Sequence, residues 1–302
     1  MNRDILACPV CKSSDLSFSA TVVRCGDCGR SYPIERHDGA DIINFIPDFA
    51  ARFQNPVQKL WRYLLATSVA EEQNLFDNLH SFDAYDLQHK ECYDFSRGRV
   101  LDIGGGSGVL RRCVGEGCEY VDVEPDISAY ERRSFLGKFD SRLGAPFTFF
   151  CGVGEYLPFR SRSFDSAVLD GMIEHVFDLN YVFSEAFRIL KKGGILYISA
   201  DFHAPAVRFG RVSVFRKVMN YFRRKSLVAT IKRVASRIFF GIRRRMNPWK
   251  NILDFSQSQV ENGHIYDDLR TWDIEEIAGQ FGFRLEKSQE IGLATVIKLI
   301  KP

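Results

Sequence analysis

The features that usually mark a chain for export or for a membrane are missing from this sequence. No stretch approaches the ~20 uninterrupted apolar residues that a membrane span requires. The opening residues, MNRDILACPV, hold no apolar run ahead of a cleavage site, so no signal peptide is read there and the cytoplasm is the expected location. No internal repeat and no low-complexity tract interrupts the 302 residues, enough for one sizeable core and a small accessory module. With 45% hydrophobic and 26% charged residues, the composition is that of a soluble globular protein. A local absence is more telling. From Phe202 to Leu253 there is no Asp or Glu but there are 14 Lys and Arg, which leaves 27 basic against 38 acidic residues elsewhere. The net charge of +3 therefore hides one basic segment set into an acidic protein, and such blocks usually meet phosphate or an anionic surface. Cys92, Cys113, Cys118 and Cys151 show no pairwise spacing and read as free packing thiols.

What is present divides the chain into three regions. Residues 1–47 hold the other four cysteines, with SFSATVVRC and RSYPI as short strands. Residues 48–96 form a connecting region, where Val57, Leu60, Trp61, Leu64 and Leu65 recur at helical spacing. From residue 97 to 302 strands and helices alternate. RVLDI, EYVDV, FTFFC, FDSAVLD and GGILYIS read as strands, SGVLRRCV as a helix, and a further helical stretch starts at Asp126. DLNYVFSEAFRIL is predicted as an amphipathic helix with Leu179, Val182, Phe183, Ala186, Phe187 and Leu190 on one face, Asp178 as N-cap and Gly193 just past its end. DIEEIAGQFGF predicts a last helix closed by Gly282, followed by a hairpin of RLEKSQEI and LATVIKLI. The expected fold is α/β: a doubly wound, mostly parallel seven-stranded sheet with an antiparallel last strand.

LDIGGGSG (101–108) falls where the first of these strands turns into a helix, the place where open parallel sheets bind ligands at glycines and free helix N–H groups. A dinucleotide fingerprint starting at Gly104 would want glycine or alanine at 109, and Val109 stands there, which disfavours pyrophosphate. Asp102-x-Gly104-x-Gly106-x-Gly108 instead resembles motif I of class I S-adenosylmethionine-dependent methyltransferases. The resemblance continues through VDVEPD, CGVGEYLPFRSRSFDSAVLDGMIEHV and FRILKKGGILYIS, covering roughly 97–200, and returns at 265–300. It implies S-adenosylmethionine as cofactor, held by Asp102, Gly104, Gly106, Gly108 and Asp170. It also implies an acid that takes both ribose hydroxyls, for which Glu124 fits the usual distance from motif I and Asp122 a shorter strand; Glu124 is slightly favoured. Many members read Asp-Ala-Glu where this chain has Val153-Gly154-Glu155, so the side-chain contact to adenine is absent and backbone N–H groups at Val153 and Gly154 take its place.

Cys8-Pro-Val-Cys11 and Cys25-Gly-Asp-Cys28 have the spacing of a zinc ribbon, in which four thiolates at ~2.3 Å close a tetrahedral structural site with no open catalytic position. The stretch on through GRSYPIERHDGADIINFIP resembles the zinc ribbon found as a partner of some methyltransferases, and bacterial rRNA guanine methyltransferases carry a ribbon ahead of their catalytic domain. In both settings the ribbon supports or positions substrate.

Residues 205–250 insert between the fifth strand and the last helix, where the resembling family elaborates its substrate site. Leu227, Ile231, Val234, Ala235, Ile238 and Ile242 mark an apolar stripe with Lys232, Arg233, Arg237 and Arg243–Arg245 on the other faces. This segment reads as helices packed on the core, as a helix pair on anionic lipid, or as an RNA-binding face; Phe239 and Phe240 tilt it towards a membrane. Candidate bases are Asp170, Glu174, His175 and His203, with His264 on a late loop. The family's Asn/Asp-Pro-Pro-aromatic motif and a Pro-Cys pair are both lacking, which argues against adenine or glutamine N-methylation and cytosine C5-methylation. The expected activity is methylation of a hydroxyl on a glycan, lipid-linked or small-molecule acceptor. The alternatives are an RNA nucleobase methyltransferase and a non-catalytic adaptor that keeps the fold.

Overall fold

Strand, glycine turn, strand: this pattern of residues 98–200 builds the central layer. The computed structural model describes residues 3–47, 93, 95, 98–127, 129–137, 141–173, 176, 178–200, 271–291 and 294–302. Four strands lie in the N-terminal region: β1 (Leu16–Phe18), β2 (Val22–Cys25), β3 (Ser31–His37) and β4 (Ala40–Ile43), in the order β1-β2-β3-β4. The second sheet has seven strands: β5 (Gly98–Ile103), β6 (Cys118–Glu124), β7 (Thr148–Cys151), β8 (Phe164–Asp170), β9 (Leu190–Ala200), β10 (Arg284–Ile291) and β11 (Ala294–Ile300). Their order is β10-β11-β9-β8-β5-β6-β7, with β5 to β9 mutually parallel and β11 antiparallel to both of its neighbours. The expected sheet and closing hairpin are therefore present.

Helices α1 (Ala129–Leu136), α2 (Ser141–Gly144), α3 (Leu179–Ile189) and α4 (Thr271–Gln280) connect or flank the strands. Asp178 caps α3, its carboxylate accepting the Asn180 N–H at 2.9 Å. Leu179, Val182, Phe183, Ala186 and Ile189 bury the apolar face of α3 against the sheet. The helix stops sooner than the sequence suggests. Leu190 is already extended, so Gly193 (φ +75°) lies within β9 and not at a helix end, and its N–H bonds the Lys301 carbonyl at 2.8 Å. Gly282 (φ +94°) closes α4 as expected.

SGVLRRCV does not form an α-helix. Val109–Cys113 is a 3-10 turn entered through a left-handed Gly108, and Arg111 folds back to donate to the carbonyls of Gly108 (3.0 Å) and Ala145 (2.6 Å). With its guanidinium also over the Phe147 ring at 4.0 Å, the segment is held by contacts outside its own backbone, which suits the short 3-10 form.

Alternation along the strands gives the sheet two faces. Leu101, Ile103, Ala167, Leu169, Leu196 and Ile198 join one core with α3 and α4, while Val100, Val168, Tyr197 and Val296 join another with Tyr93 and Phe95. The N-terminal sheet is part of the first core: Tyr32, Ile43 and Phe45 share it. Asn44 bridges Cys151, and the Phe45 N–H bonds the Cys151 carbonyl at 2.7 Å, so the chain leaving β4 covers the free edge of β7. No described helix is long and apolar enough to cross a membrane. The helical stripes predicted within 48–96 and 205–250 lie outside the described residues; of residues 48–96 only Tyr93 and Phe95 are described.

Candidate functional site: a glycine loop over an acidic strand row

The chain leaves β5 for β6 and β7 on one side and returns to β8 on the other, so the crevice between β5 and β8 is the topological switch point. Register places Asp122 beside Asp102 on β6 and β5, and Asp170 beside Ser199 on β8 and β9. By alternation Glu124, Asp122, Asp102 and Asp170 share one face, at or next to the C-terminal ends of three strands. Four carboxyl groups thus converge where the glycine loop turns over. Their mutual repulsion and burial make the place suited to cations and to hydroxyl donors, and hostile to phosphate.

The loop lies close on these acids. Gly104, Gly106 and Gly108 all have positive φ, which only glycine adopts at little cost. Gly105 between them was not singled out from the motif, yet it is the tightest fit: a Cβ there would lie 2.6 Å from the Asp102 Cγ and 2.8 Å from the Asp122 Cγ. Its place in a run of three glycines was the available signal. Asp102 is buried and accepts the Tyr120 hydroxyl at 2.7 Å. Asp122 is fully buried, and among the described residues no donor meets either of its oxygens with hydrogen-bond geometry. Burial, followed by the charges of Asp102 and Glu124, pushes its carboxyl well above the usual carboxylate range. Glu124 is half-buried and reaches the loop, accepting the Gly106 N–H at 3.3 Å and the Asp126 N–H at 3.0 Å. Burial lifts Glu124 to about 7 against the pull of the Asp126 N–H.

Val153 and Gly154 follow β7, both buried, at the start of a 3-10 turn (Gly154–Tyr156). A second residue missed from the sequence is Tyr93. It packs on Tyr197 at 5.1 Å between centroids, and burial, followed by the charge of Asp170, pushes its hydroxyl well above the usual tyrosine range. Glu174, His175, His203 and His264 lie outside the described residues, so of the candidate bases the structure places Asp170 alone.

The four cysteines Cys8, Cys11, Cys25 and Cys28 come together, their Sγ atoms all within 4.8 Å of one another. The Cys8–Cys28 and Cys11–Cys25 pairs are 3.6 and 3.5 Å apart. A tetrahedron of thiolates at ~2.3 Å has edges of about 3.8 Å, so the set fits zinc. Each pair sits in the same turn. Lys12 (φ +65°) and Gly29 (φ +70°) follow the second cysteines, and their N–H groups bond the Cys8 and Cys25 carbonyls at 2.9 and 3.0 Å. The buried Tyr32 hydroxyl meets the Cys8 Sγ at 3.1 Å, an outer contact that orients the ligand. No disulfide joins the described cysteines; Cys113, Cys118 and Cys151 carry thiols outside this cluster, and Cys92 lies outside the described residues.

An open parallel sheet with one antiparallel strand, a glycine loop and an acidic rim defines a class of proteins that bind small ligands at strand ends. The comparison with known families is more specific: residues 101–198 match the family model described as a methyltransferase domain. Among curated proteins, the chain is 29% identical over 154 residues to the rat mitochondrial ubiquinone biosynthesis O-methyltransferase, covering 45% of this chain and 43% of that protein. It is 34% identical over 114 residues to the mouse arsenite methyltransferase, covering 33% of this chain and 30% of that one. The match thus spans less than half the length of these two relatives. Among solved structures, the chain is similar to a Burkholderia thailandensis 1,6-didemethyltoxoflavin-N1-methyltransferase with bound S-adenosylhomocysteine. The TM-score is 0.48 at 13% identity, covering 93% of this chain and 99% of that one. A Thermotoga maritima S-adenosylmethionine-dependent methyltransferase has a TM-score of 0.45 at 19% identity, covering 80% and 100%. The family match and the named relatives support an S-adenosylmethionine-dependent methyltransferase.

Proposed function

We propose that this chain transfers the methyl group of S-adenosylmethionine to a hydroxyl of a glycan, lipid-linked or small-molecule acceptor. The observation that carries the cofactor half of this reading is the acidic row under the glycine loop: Glu124, Asp122, Asp102 and Asp170 on one strand face, with no basic residue directly beside any of them in register. A positive sulfur, an ammonium group and a ribose diol each favour the ionised form of these carboxyls, whereas a pyrophosphate is met only at the cost of keeping them protonated, so the set suits the former ligand. Glu124 takes the ribose hydroxyls, because it ends β6 and one of its oxygens already meets the Gly106 N–H of the loop, whereas Asp122 lies beneath Gly105. Asp102 and Asp170 flank the switch point and hold the cationic end, and the Val153 and Gly154 backbone meets the adenine.

When bound, the cofactor supplies a methyl carbon on a cationic sulfur, a leaving group that needs no protonation. The chain must bring the acceptor oxygen in line with that carbon and take its proton. Glu174, His175 and His203 follow β8 and β9 in sequence and are the proposed bases. An oxygen acceptor is supported by the relatives named as O-methyltransferases. The four cysteines hold a structural zinc ion.

The acceptor class is tested by incubating the protein with methyl-labelled cofactor and an extract of source cells lacking it, then separating lipid, glycan, small-molecule, RNA and protein fractions. Label in the lipid, glycan or small-molecule fraction supports the reading. Label in RNA overturns it in favour of nucleobase methylation, with the ribbon and the basic segment 205–250 as nucleic-acid contacts.

A further inference from the structure

The N-terminal ribbon grips one segment of the catalytic domain at both ends. Residues 151–160 run from the tip of β7 through Val153 and Gly154 to the entry of β8. At the start, the Cys151 carbonyl accepts the Phe45 N–H at 2.7 Å. At the far end, the Pro158 carbonyl accepts the Ala7 N–H at 3.0 Å, and the Arg160 N–H donates to the Ile5 carbonyl at 2.8 Å. Leu6 and Phe159 form an antiparallel bridge.

The middle of the segment is held through a side chain. Glu185 of α3, 6% exposed, accepts the Leu157 N–H at 2.9 Å and both Arg188 donors at 2.8 and 2.9 Å. Its remaining bond comes from the ribbon: Lys12, directly after Cys11, donates to Glu185 Oε2 at 2.5 Å and to the Pro9 carbonyl at 2.7 Å. Lys12 therefore ties the first cysteine turn to the carboxylate that holds Leu157. A second path is apolar. The Tyr32 ring, whose hydroxyl meets Cys8, lies 5.2 Å from Phe45, which lies 5.9 Å from Phe150 of β7, itself 5.6 Å from Phe159.

We infer that Lys12 and Glu185 are positioning residues for the cofactor, through which the metal-bound ribbon sets the height of the 152–157 backbone against the adenine. In this chain the ribbon acts on the segment that meets the cofactor. This inference rests on the cofactor reading above. Because the backbone of Val153 and Gly154 replaces a side-chain contact to adenine, any shift of that backbone acts directly on affinity.

The test uses the full-length, metal-loaded protein and titrates S-adenosylhomocysteine calorimetrically into the unaltered chain, Lys12→Met and Lys12→Arg. Circular dichroism and zinc content are recorded for each. The expected result is about tenfold weaker binding for Lys12→Met with its fold and zinc intact, and recovery for Lys12→Arg, which keeps a donor to Glu185. In turnover, KM for the cofactor rises by the same factor while kcat holds. Equal affinity of all three proteins, even with a lower melting temperature for Lys12→Met, makes Lys12 a purely stabilising residue and overturns this inference alone. Failure of the unaltered, folded protein to bind overturns the cofactor reading and this inference with it. Should Lys12→Met fail to fold, Glu185→Gln replaces it. Glutamine keeps an acceptor for Leu157 but loses the charge that Lys12 meets, so unchanged affinity there is equally damaging.

Discussion

Replacing Gly105 by alanine puts one methyl group where the structure has no room. The new Cβ would lie 2.6 Å from the Asp102 Cγ and Oδ2 and 2.8 Å from the Asp122 Cγ, against the ~3.5–4.0 Å of an ordinary carbon contact. About 1 Å must be found. Neither aspartate is free to supply it, since both sit within paired strands and Asp102 is held by the Tyr120 hydroxyl. The loop must therefore rise, and with it the Gly106 N–H that faces Glu124. Overpacking of this kind costs about 1–3 kcal/mol, and if the loss falls on the loop's ligand-ready form it weakens cofactor binding roughly 5- to 150-fold. Calorimetric titration with S-adenosylhomocysteine at 25 °C, with thermal melts alongside, measures both consequences. An unchanged dissociation constant beside a lowered melting temperature would show that the sheet absorbs the strain and that the loop is not the cradle.

Three further outcomes are expected. Glu124 titrates near 7, and hydroxyl donors need it ionised, so S-adenosylhomocysteine affinity falls as pH drops below about 7, approaching roughly tenfold per pH unit, and Glu124→Gln removes that dependence. For folding the sign is opposite: because burial raises this carboxyl above its ordinary value of 4.5, its contribution to stability is greatest at low pH and declines as pH rises through 7. Metal analysis finds one zinc ion per chain. Cys28→Ser or a strong chelator removes it and, because the ribbon shares a core with the sheet, lowers the melting temperature of the whole molecule. Gly279→Ala, on an exposed face of α4 with nothing within 4 Å of the new carbon, stabilises by about 0.4–1 kcal/mol and leaves cofactor affinity unchanged, so any loss of affinity there would undermine the Gly105 comparison.

Much of this architecture is readable from periodicity, because the signals are local. LDI, VDV and SAVLD announce buried strands, Asp178 and the spacing of Leu179, Val182 and Phe183 announce α3, and the cysteine pairs announce their own cluster. What stays hidden depends on distant partners. The 3-10 form of Val109–Cys113 is set by Arg111 reaching residues 142–145, some thirty positions away. The early end of α3 follows from β9 pairing with the C-terminal residues, where Gly193 and Gly194 bond Lys301. The joining of the N-terminal sheet to the edge of β7 depends on Phe45 meeting Cys151, and no feature near Phe45 in sequence predicts that. In the site, the glycines and Asp102, Asp122 and Glu124 are legible because one strand–turn–strand unit brings them together. Tyr93 is not, since its place over Tyr197 joins segments a hundred residues apart.

The central claim is that the acidic row under the glycine loop takes S-adenosylmethionine and no phosphate-bearing dinucleotide. Equilibrium titration of the unaltered protein with S-adenosylmethionine and, in parallel, with NADH tests it most directly. The account predicts saturable binding of S-adenosylmethionine that Glu124→Ala weakens at least tenfold, and no binding of NADH. Binding of NADH, or S-adenosylmethionine binding indifferent to Glu124→Ala, would contradict it.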